Sequence, residues 1–157
     1  MIVTTCRIFA IVAFLALAAC SPSGSGGGGV LLNAALTTPM DSTVAVLDRT
    51  QALGLINAYR STRGSIALVE DAALTAEAQR LAAQYAASGN PPSPPAGALV
   101  MRLSAGYLTF ADVFSGWRNS PPDADALATA GARRAGLATA FNGTSSYGAY
   151  WVLVIAN

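Results

Sequence analysis

The chain has 157 residues, and its nine arginines nearly balance its eight acidic residues, so the formal net charge is +1 at pH 7. This balance, without any cluster of basic residues, argues against nucleic acid as a partner. The chain contains no histidine and no lysine, which excludes hydrolysis by a serine paired with either base.

The N-terminal residues have the pattern of an export signal. Arg7 precedes an apolar run that is too short for a permanent membrane span of about 20 residues. The run ends at Cys20 and resembles the signal of a bacterial lipoprotein, in which the cysteine is lipidated and the preceding residues are removed. We therefore expect residues 1–19 to be a cleaved signal peptide and Cys20 to carry a lipid anchor. Residues 20–29 then form a Gly/Ser tether, and residues 30–157 form one domain.

The first half of this domain is predicted to contain two helices followed by a strand. One helix is predicted over residues 44–62, and a second begins with Thr75 as its N-cap and ends at Gly89. Four prolines between residues 90 and 97 predict an irregular connection. Alternating apolar residues then predict a strand over residues 99–103.

The second half of the domain is predicted to be mixed as well. The predicted elements are a helix over residues 109–118, a short helix over residues 123–130, and strands over residues 135–141 and 149–156. Pro121 and Pro122 are expected to end the first of these helices. The last strand is apolar at consecutive positions, which predicts that both of its faces are covered. The sequence therefore predicts an α+β fold in which a sheet lies between helical layers, a three-layer α/β/α sandwich.

Three stretches of the sequence carry a family resemblance. Residues 55–60 read LINAYR, residues 116–121 read GWRNSP, and residues 135–138 and 147–152 read AGLA and YGAYWV. In this order they resemble the opening, the "GW..SPGH" and the closing motifs of the CAP superfamily of cysteine-rich secretory, antigen 5 and pathogenesis-related type 1 proteins. The resemblance implies a CAP-like domain, abbreviated because the connection at residues 90–95 is shorter than usual.

The resemblance also implies a cleft, which family members usually build from two histidines and two acidic residues and which in some binds a divalent metal. One histidine position falls on Asp123, and the glutamate and asparagine of the "GEN" motif fall on Met101 and Arg102. Because histidine is absent and both Cys6 and Cys20 are consumed by processing, we expect no metal, no cofactor and no catalytic residue. The candidate cleft residues are Asn57, Arg60, Met101, Arg102, Trp117 and Asp123.

Several of these residues have a second interpretation. Asn57 and Arg60 could bind buried backbone groups instead of lining a cleft, and Trp117 could belong to the core. Asp123 could cap a helix. Asp123 and Asp125 are also candidates for acid–base work, although a spacing of two does not place them on one helix face.

The expected function is that of a non-catalytic CAP-like lipoprotein that binds a component of the bacterial cell envelope or a protein partner. An apolar ligand, such as a lipid, is expected because Met101 stands where the family has glutamate. Two alternatives stay open: a carboxylate-dependent wall hydrolase and a purely structural envelope protein. Ser21 after the lipidated cysteine favours the outer membrane by the lipoprotein resemblance, and the oligomeric state is left open.

Overall fold

A computed structural model of the protein describes residues 33–157. The predicted signal peptide over residues 1–19, the lipidation site Cys20 and the tether over residues 20–29 lie outside the described residues, so they stay predictions. Within residues 33–157, no helix is both long enough and apolar enough to cross a membrane.

The described chain forms four helices and four strands after a 3₁₀ turn at Ala34–Leu36. The helices are α1 (Arg49–Thr62), α2 (Ala72–Ser88), α3 (Phe110–Asn119) and α4 (Pro121–Leu127), and the strands are β1 (Val69–Glu70), β2 (Val100–Ala105), β3 (Arg134–Asn142) and β4 (Gly148–Ala156). The four strands form one sheet in the order β1-β3-β4-β2. β1 runs parallel to β3, and the other two pairs are antiparallel.

Strand β4 lies at the centre of the fold, because every residue from Ala149 to Ala156 is buried. Trp151 and Leu153 point to one face of the sheet, where they pack with side chains of α1, α3 and α4. Val152 and Val154 point to the other face, which α2 covers. The sheet is therefore enclosed between two helical layers, as the apolar run of β4 predicted, and the three-layer α/β/α fold is confirmed.

Both long N-terminal helices are capped by an aspartate and begin at other residues than the sequence predicted. Helix α1 begins at Arg49 and not at residue 44, because the Asp48 carboxylate accepts the Gln51 N–H at 3.0 Å. Helix α2 begins three residues before Thr75, because the Asp71 carboxylate accepts the Leu74 N–H at 2.9 Å. An aspartate in extended conformation satisfies one of the free N–H groups of the first turn.

Helix α3 ends at Asn119, directly before the prolines as expected, but α4 begins at Pro121 and not at residue 123. A proline is tolerated in the first turn of a helix, because its missing N–H would have no partner there. Ser120 therefore takes the cap position, and Asp123 lies within the first turn. The interpretation of Asp123 as a helix cap was wrong.

The remaining elements follow the predictions closely. Helix α3 is capped by Thr109, and α2 ends at Gly89, whose φ of 68° is the left-handed conformation that glycine adopts without strain. Strand β3 is one residue longer at each end than predicted, and β4 begins one residue earlier. β2 extends to Ala105, and the two-residue strand β1 was not predicted because it is too short to show alternation.

Candidate functional site

An ion pair joins strand β2 to helix α4 at two of the predicted cleft positions. The Nε atom of Arg102 lies 3.2 Å from Oδ1 of Asp123, and the two side chains are 31% and 30% exposed. The Arg102 Nε is buried and forms no hydrogen bond within the described chain, so the N–H does not point at the carboxylate despite the short distance. The structure thus brings Arg102 and Asp123 together in a contact of poor hydrogen-bond geometry.

Met101 lies on the opposite face of the sheet from this pair. Its side chain packs with Leu81 and Val152 in the core beneath α2, because successive residues of a strand point to opposite faces. Met101 therefore cannot line the same cleft as Arg102, and its inclusion among the cleft residues was wrong. A Met101 that packs beneath α2 also gives no support to an apolar ligand beside Arg102.

Asn57 is held by the backbone in front of β1. Its side-chain amide donates to the Leu68 carbonyl at 2.9 Å, and its side-chain oxygen accepts the Leu68 N–H at 2.8 Å. The Asn57 side chain thus pairs with both backbone groups of Leu68, as a neighbouring strand would, and fixes the segment that leads into β1. Both hydrogen bonds engage the side chain internally, which agrees with the backbone-binding interpretation.

Arg60 is buried, with 1% of its surface exposed, so it does not line an open cleft. Its Nε donates to the Ile66 carbonyl at 2.8 Å and its Nη1 donates to the Leu127 carbonyl at 2.6 Å. Burial lowers the pKa of the guanidinium from its usual value. The carbonyls at the end of α4 carry the negative end of the helix dipole and compensate for the lost hydration. Arg60 therefore ties α1 to α4.

Trp117 belongs to the core and not to a ligand-binding surface. It is 3% exposed, and its ring meets that of Phe110 edge to face at 6.4 Å. Its indole N–H donates to the Leu103 carbonyl at 3.1 Å, which attaches α3 to β2. Of the six predicted cleft residues, only Arg102 and Asp123 are thus adjacent and partly open to solvent.

A groove elsewhere in the domain was not predicted from the sequence. A groove of about 450 Å³ lies between the last turns of α2, the end of β3 and Thr43. Its floor and walls are Thr43, Ala83, Ala86, Ala87, Ala140, Phe141, Asn142 and Gly143. The spacing of the three α2 alanines at i, i+3 and i+4 could have indicated a helix face too small to fill the space beside the sheet. Within residues 33–157, no three His, Cys, Asp or Glu side chains are grouped as metal ligands would be.

The sequence matches the model of the cysteine-rich secretory protein family, CAP, over residues 53–155. The crystal structure of MpPR-1i is similar in fold, with 20% identity, coverage of 68% of this chain and 88% of that chain, and a TM-score of 0.58. An outer surface protein from Borrelia burgdorferi is also similar, with 18% identity, coverage of 70% of this chain and 92% of that chain, and a TM-score of 0.51. At these identities the two structures show the fold alone. The sequence has no match among curated proteins.

Proposed function

The chain belongs to the cysteine-rich secretory protein (CAP) family, and we propose that it is a membrane-anchored, non-catalytic member that binds a component of the bacterial cell envelope. The observation that carries this proposal is the ion pair between Arg102 and Asp123, which occupies two positions where the resemblance implies cleft residues.

The same pair suits a polar ligand. Arg102 offers N–H donors and Asp123 offers acceptor oxygens side by side, and about 30% of each side chain is open to solvent. Wall peptides complement this arrangement, because their amide N–H groups can donate to Asp123 while their carbonyl and carboxylate oxygens accept from Arg102. We therefore choose peptidoglycan as the first ligand to test, in place of the apolar ligand that Met101 suggested.

The envelope location of this proposal comes from Cys20 and Ser21. A lipid at Cys20 would hold the domain at the membrane, and serine after the cysteine favours the outer membrane. The name of the structural neighbour from Borrelia burgdorferi, an outer surface protein, is compatible with this location. A single acyl chain binds a membrane only marginally, so stable anchoring requires the several chains that lipoproteins of this type carry.

A sedimentation experiment tests the proposal. The full chain, purified in detergent, is incubated with purified peptidoglycan sacculi; the bound fraction is measured in the pellet and released wall fragments are measured in the supernatant. We expect the protein in the pellet and no fragments. Exchange of Asp123 for Asn serves as the matched variant, since it removes the charge and keeps the shape.

The other outcomes identify the alternatives. Fragments that the wild-type chain releases and the Asp123→Asn variant does not would overturn the proposal in favour of a carboxylate-dependent hydrolase. A purely structural protein would be favoured if the chain neither binds nor cleaves sacculi and if its binding to vesicles depends entirely on its lipid anchor.

A further inference from the structure

One end of the domain displays an unusual share of its exposed apolar side chains. Three loops meet there: residues 39–46, the β2–α3 loop at residues 106–109, and the β3–β4 turn at residues 143–147. The exposed side chains are Val44 (84%), Val46 (79%), Tyr107 (43%), Leu108 (42%) and Tyr147 (56%). We call these three loops the apolar end.

Contacts between the loops make the apolar end one continuous surface. The Met40 N–H donates to the Leu108 carbonyl at 2.7 Å, which joins the first loop to the second. A Cβ at Gly106 would lie 3.4 Å from Cδ1 of Tyr147, so the second loop touches the third. Thr43 of the first loop and Gly143 of the third loop line the same groove, so these two loops are also adjacent.

The loops that carry the exposed tyrosines are anchored to the domain by backbone hydrogen bonds. The Tyr147 N–H donates to Oγ of Ser145 at 3.2 Å, and the carbonyl of Tyr107 accepts the indole N–H of the buried Trp151 at 2.8 Å. The Tyr147 ring also meets the Tyr150 ring edge to face at 6.2 Å. Exposure of large apolar side chains to water is unfavourable, because each side chain forgoes the free energy that burial would provide.

The chemistry of the apolar end matches a membrane surface. Its loops contain only one charged residue, Asp41, and no arginine, so attraction to anionic groups cannot be the basis of binding. Tyrosine, leucine and valine together favour the boundary between headgroups and acyl chains, where the tyrosine hydroxyl stays hydrated and the ring is buried.

The route of the chain also favours a membrane at this end. Residues 20–32, thirteen in number, connect the predicted lipid site to Asn33. Thirteen residues of any conformation can span at most about 45 Å. Asn33 lies only seven residues before Met40, which is bonded to the apolar end. A lipid at Cys20 would therefore leave this end within reach of the bilayer.

We propose that the apolar end rests on the lipid bilayer that holds the anchor, with Val44, Tyr147 and their neighbours in the headgroup–acyl boundary. This inference rests on the anchoring at Cys20 that forms part of the proposed function. It leaves the Arg102–Asp123 pair free to face an envelope ligand, since neither residue belongs to the three loops.

Lipid-quenched fluorescence tests the orientation on the full lipidated chain. Single cysteines are introduced by Val44→Cys and Tyr147→Cys, and by Val69→Cys and Ile66→Cys as controls of similar exposure. Val69 pairs with Arg134, at the opposite end of β3 from the apolar end. Each is labelled with a nitrobenzoxadiazole maleimide and reconstituted in phosphatidylcholine vesicles with or without doxyl-labelled lipid.

We expect doxyl lipid to quench the probes at positions 44 and 147 several-fold more than those at positions 66 and 69, and added anionic lipid to leave this difference unchanged. Equal quenching at all four positions on vesicle-bound protein would overturn the inference and leave the anchoring intact. A blue-shifted but unquenched probe at position 44 would place a protein surface on this end and would also overturn it. A wild-type chain that does not float with vesicles would overturn the anchoring, and this inference with it.

Discussion

Gly136 of β3 lies directly against the backbone of Leu74 in α2, since a Cβ at Gly136 would overlap the Leu74 carbonyl carbon. No side chain separates the helix from the strand at this point. The Asp71 N–H donates to the Ala135 carbonyl at 2.9 Å and the Asp71 carboxylate accepts the Leu74 N–H, so the first turn of α2 is tied to β3. This close approach explains why α2 covers the sheet so completely in a chain whose helix face is mostly alanine.

We predict that Gly136→Ala destabilises the domain by about 3 kcal/mol or more, because the new methyl group must displace backbone atoms rather than a flexible side chain. Urea denaturation measures the free energy of unfolding. The control is Gly54→Ala in α1, where a Cβ has no neighbour within 4 Å. Helix propensity predicts that this control gains about 0.5–1 kcal/mol. Equal effects of the two substitutions would contradict the close packing.

Exchange of Arg60 for Met should destabilise the domain by about 3 kcal/mol, because the carbonyls of Ile66, Leu127 and Thr129 lose their donor in a buried site. The matched control is Arg63→Met, at the C-cap of α1. Arg63 is exposed and forms a surface ion pair with Asp125, so its loss should have a much smaller effect. Thermal unfolding followed by circular dichroism distinguishes the two, and similar losses would exclude the structural role of Arg60.

Asp71 should contribute to the loss of stability in acid. Its hydrogen bond from the Leu74 N–H, and then its contact with Arg134, hold the pKa of the carboxyl below its usual value. A carboxyl with a lowered folded-state pKa stabilises the fold above its unfolded pKa of about 3.9, and this stabilisation is lost as the pH falls through the folded pKa.

The variant Asp71→Asn keeps a good N-cap and removes the titration. We therefore expect its melting temperature to fall less steeply below about pH 4 than that of the wild-type chain. In about 1 M salt the stabilisation that Asp71 gains from Arg134 should become smaller, whereas the stabilisation that it gains from the backbone N–H should persist. Parallel acid profiles for the variant and the wild-type chain would rule out this role.

The pair formed by Arg102 and Asp123 should add little to stability. Both side chains are about 30% exposed, and the Arg102 Nε makes no hydrogen bond within the described chain. A double-mutant cycle with Arg102→Gln and Asp123→Asn should therefore give a coupling free energy below about 1 kcal/mol. A coupling of about 3 kcal/mol, typical of a buried pair, would mean that the pair locks β2 to α4 and is not available to a ligand.

Much of the fold followed from local patterns in the sequence. The continuous apolar run of β4 predicted a strand covered on both faces, and the structure buries all of its residues from Ala149 onward. The end of α3 before Pro121 was predicted correctly, but the start of α4 at Pro121 was missed, because a proline is as compatible with the start of a helix as with the end of one. Strand β1 was not predicted, because two residues are too few to show an alternating pattern. Its position depends on Asn57 of α1, whose side chain is hydrogen-bonded to the backbone of Leu68.

The candidate site was less predictable than the fold. Adjacent strand residues face opposite sides of a sheet, so Met101 and Arg102 could never have lined one cleft, and this parity was already visible in the sequence. The contact between Arg102 and Asp123 could be anticipated only through the family resemblance, because no periodicity links β2 to α4. The apolar end depends on how three separate loops meet, which local patterns do not encode.

The affinity of an Arg102 variant for the wall tests the central claim most directly. The protein concentration that half-saturates sacculi is measured for the wild-type chain and for the variants Arg102→Gln and Arg118→Gln. Arg118 is an exposed arginine at the end of α3. Because a hydrogen bond to a charged group contributes about 1.5–3 kcal/mol, the account predicts binding at least about tenfold weaker for Arg102→Gln and unchanged for Arg118→Gln. Equal affinities for all three chains would contradict the claim that the Arg102–Asp123 site binds the envelope.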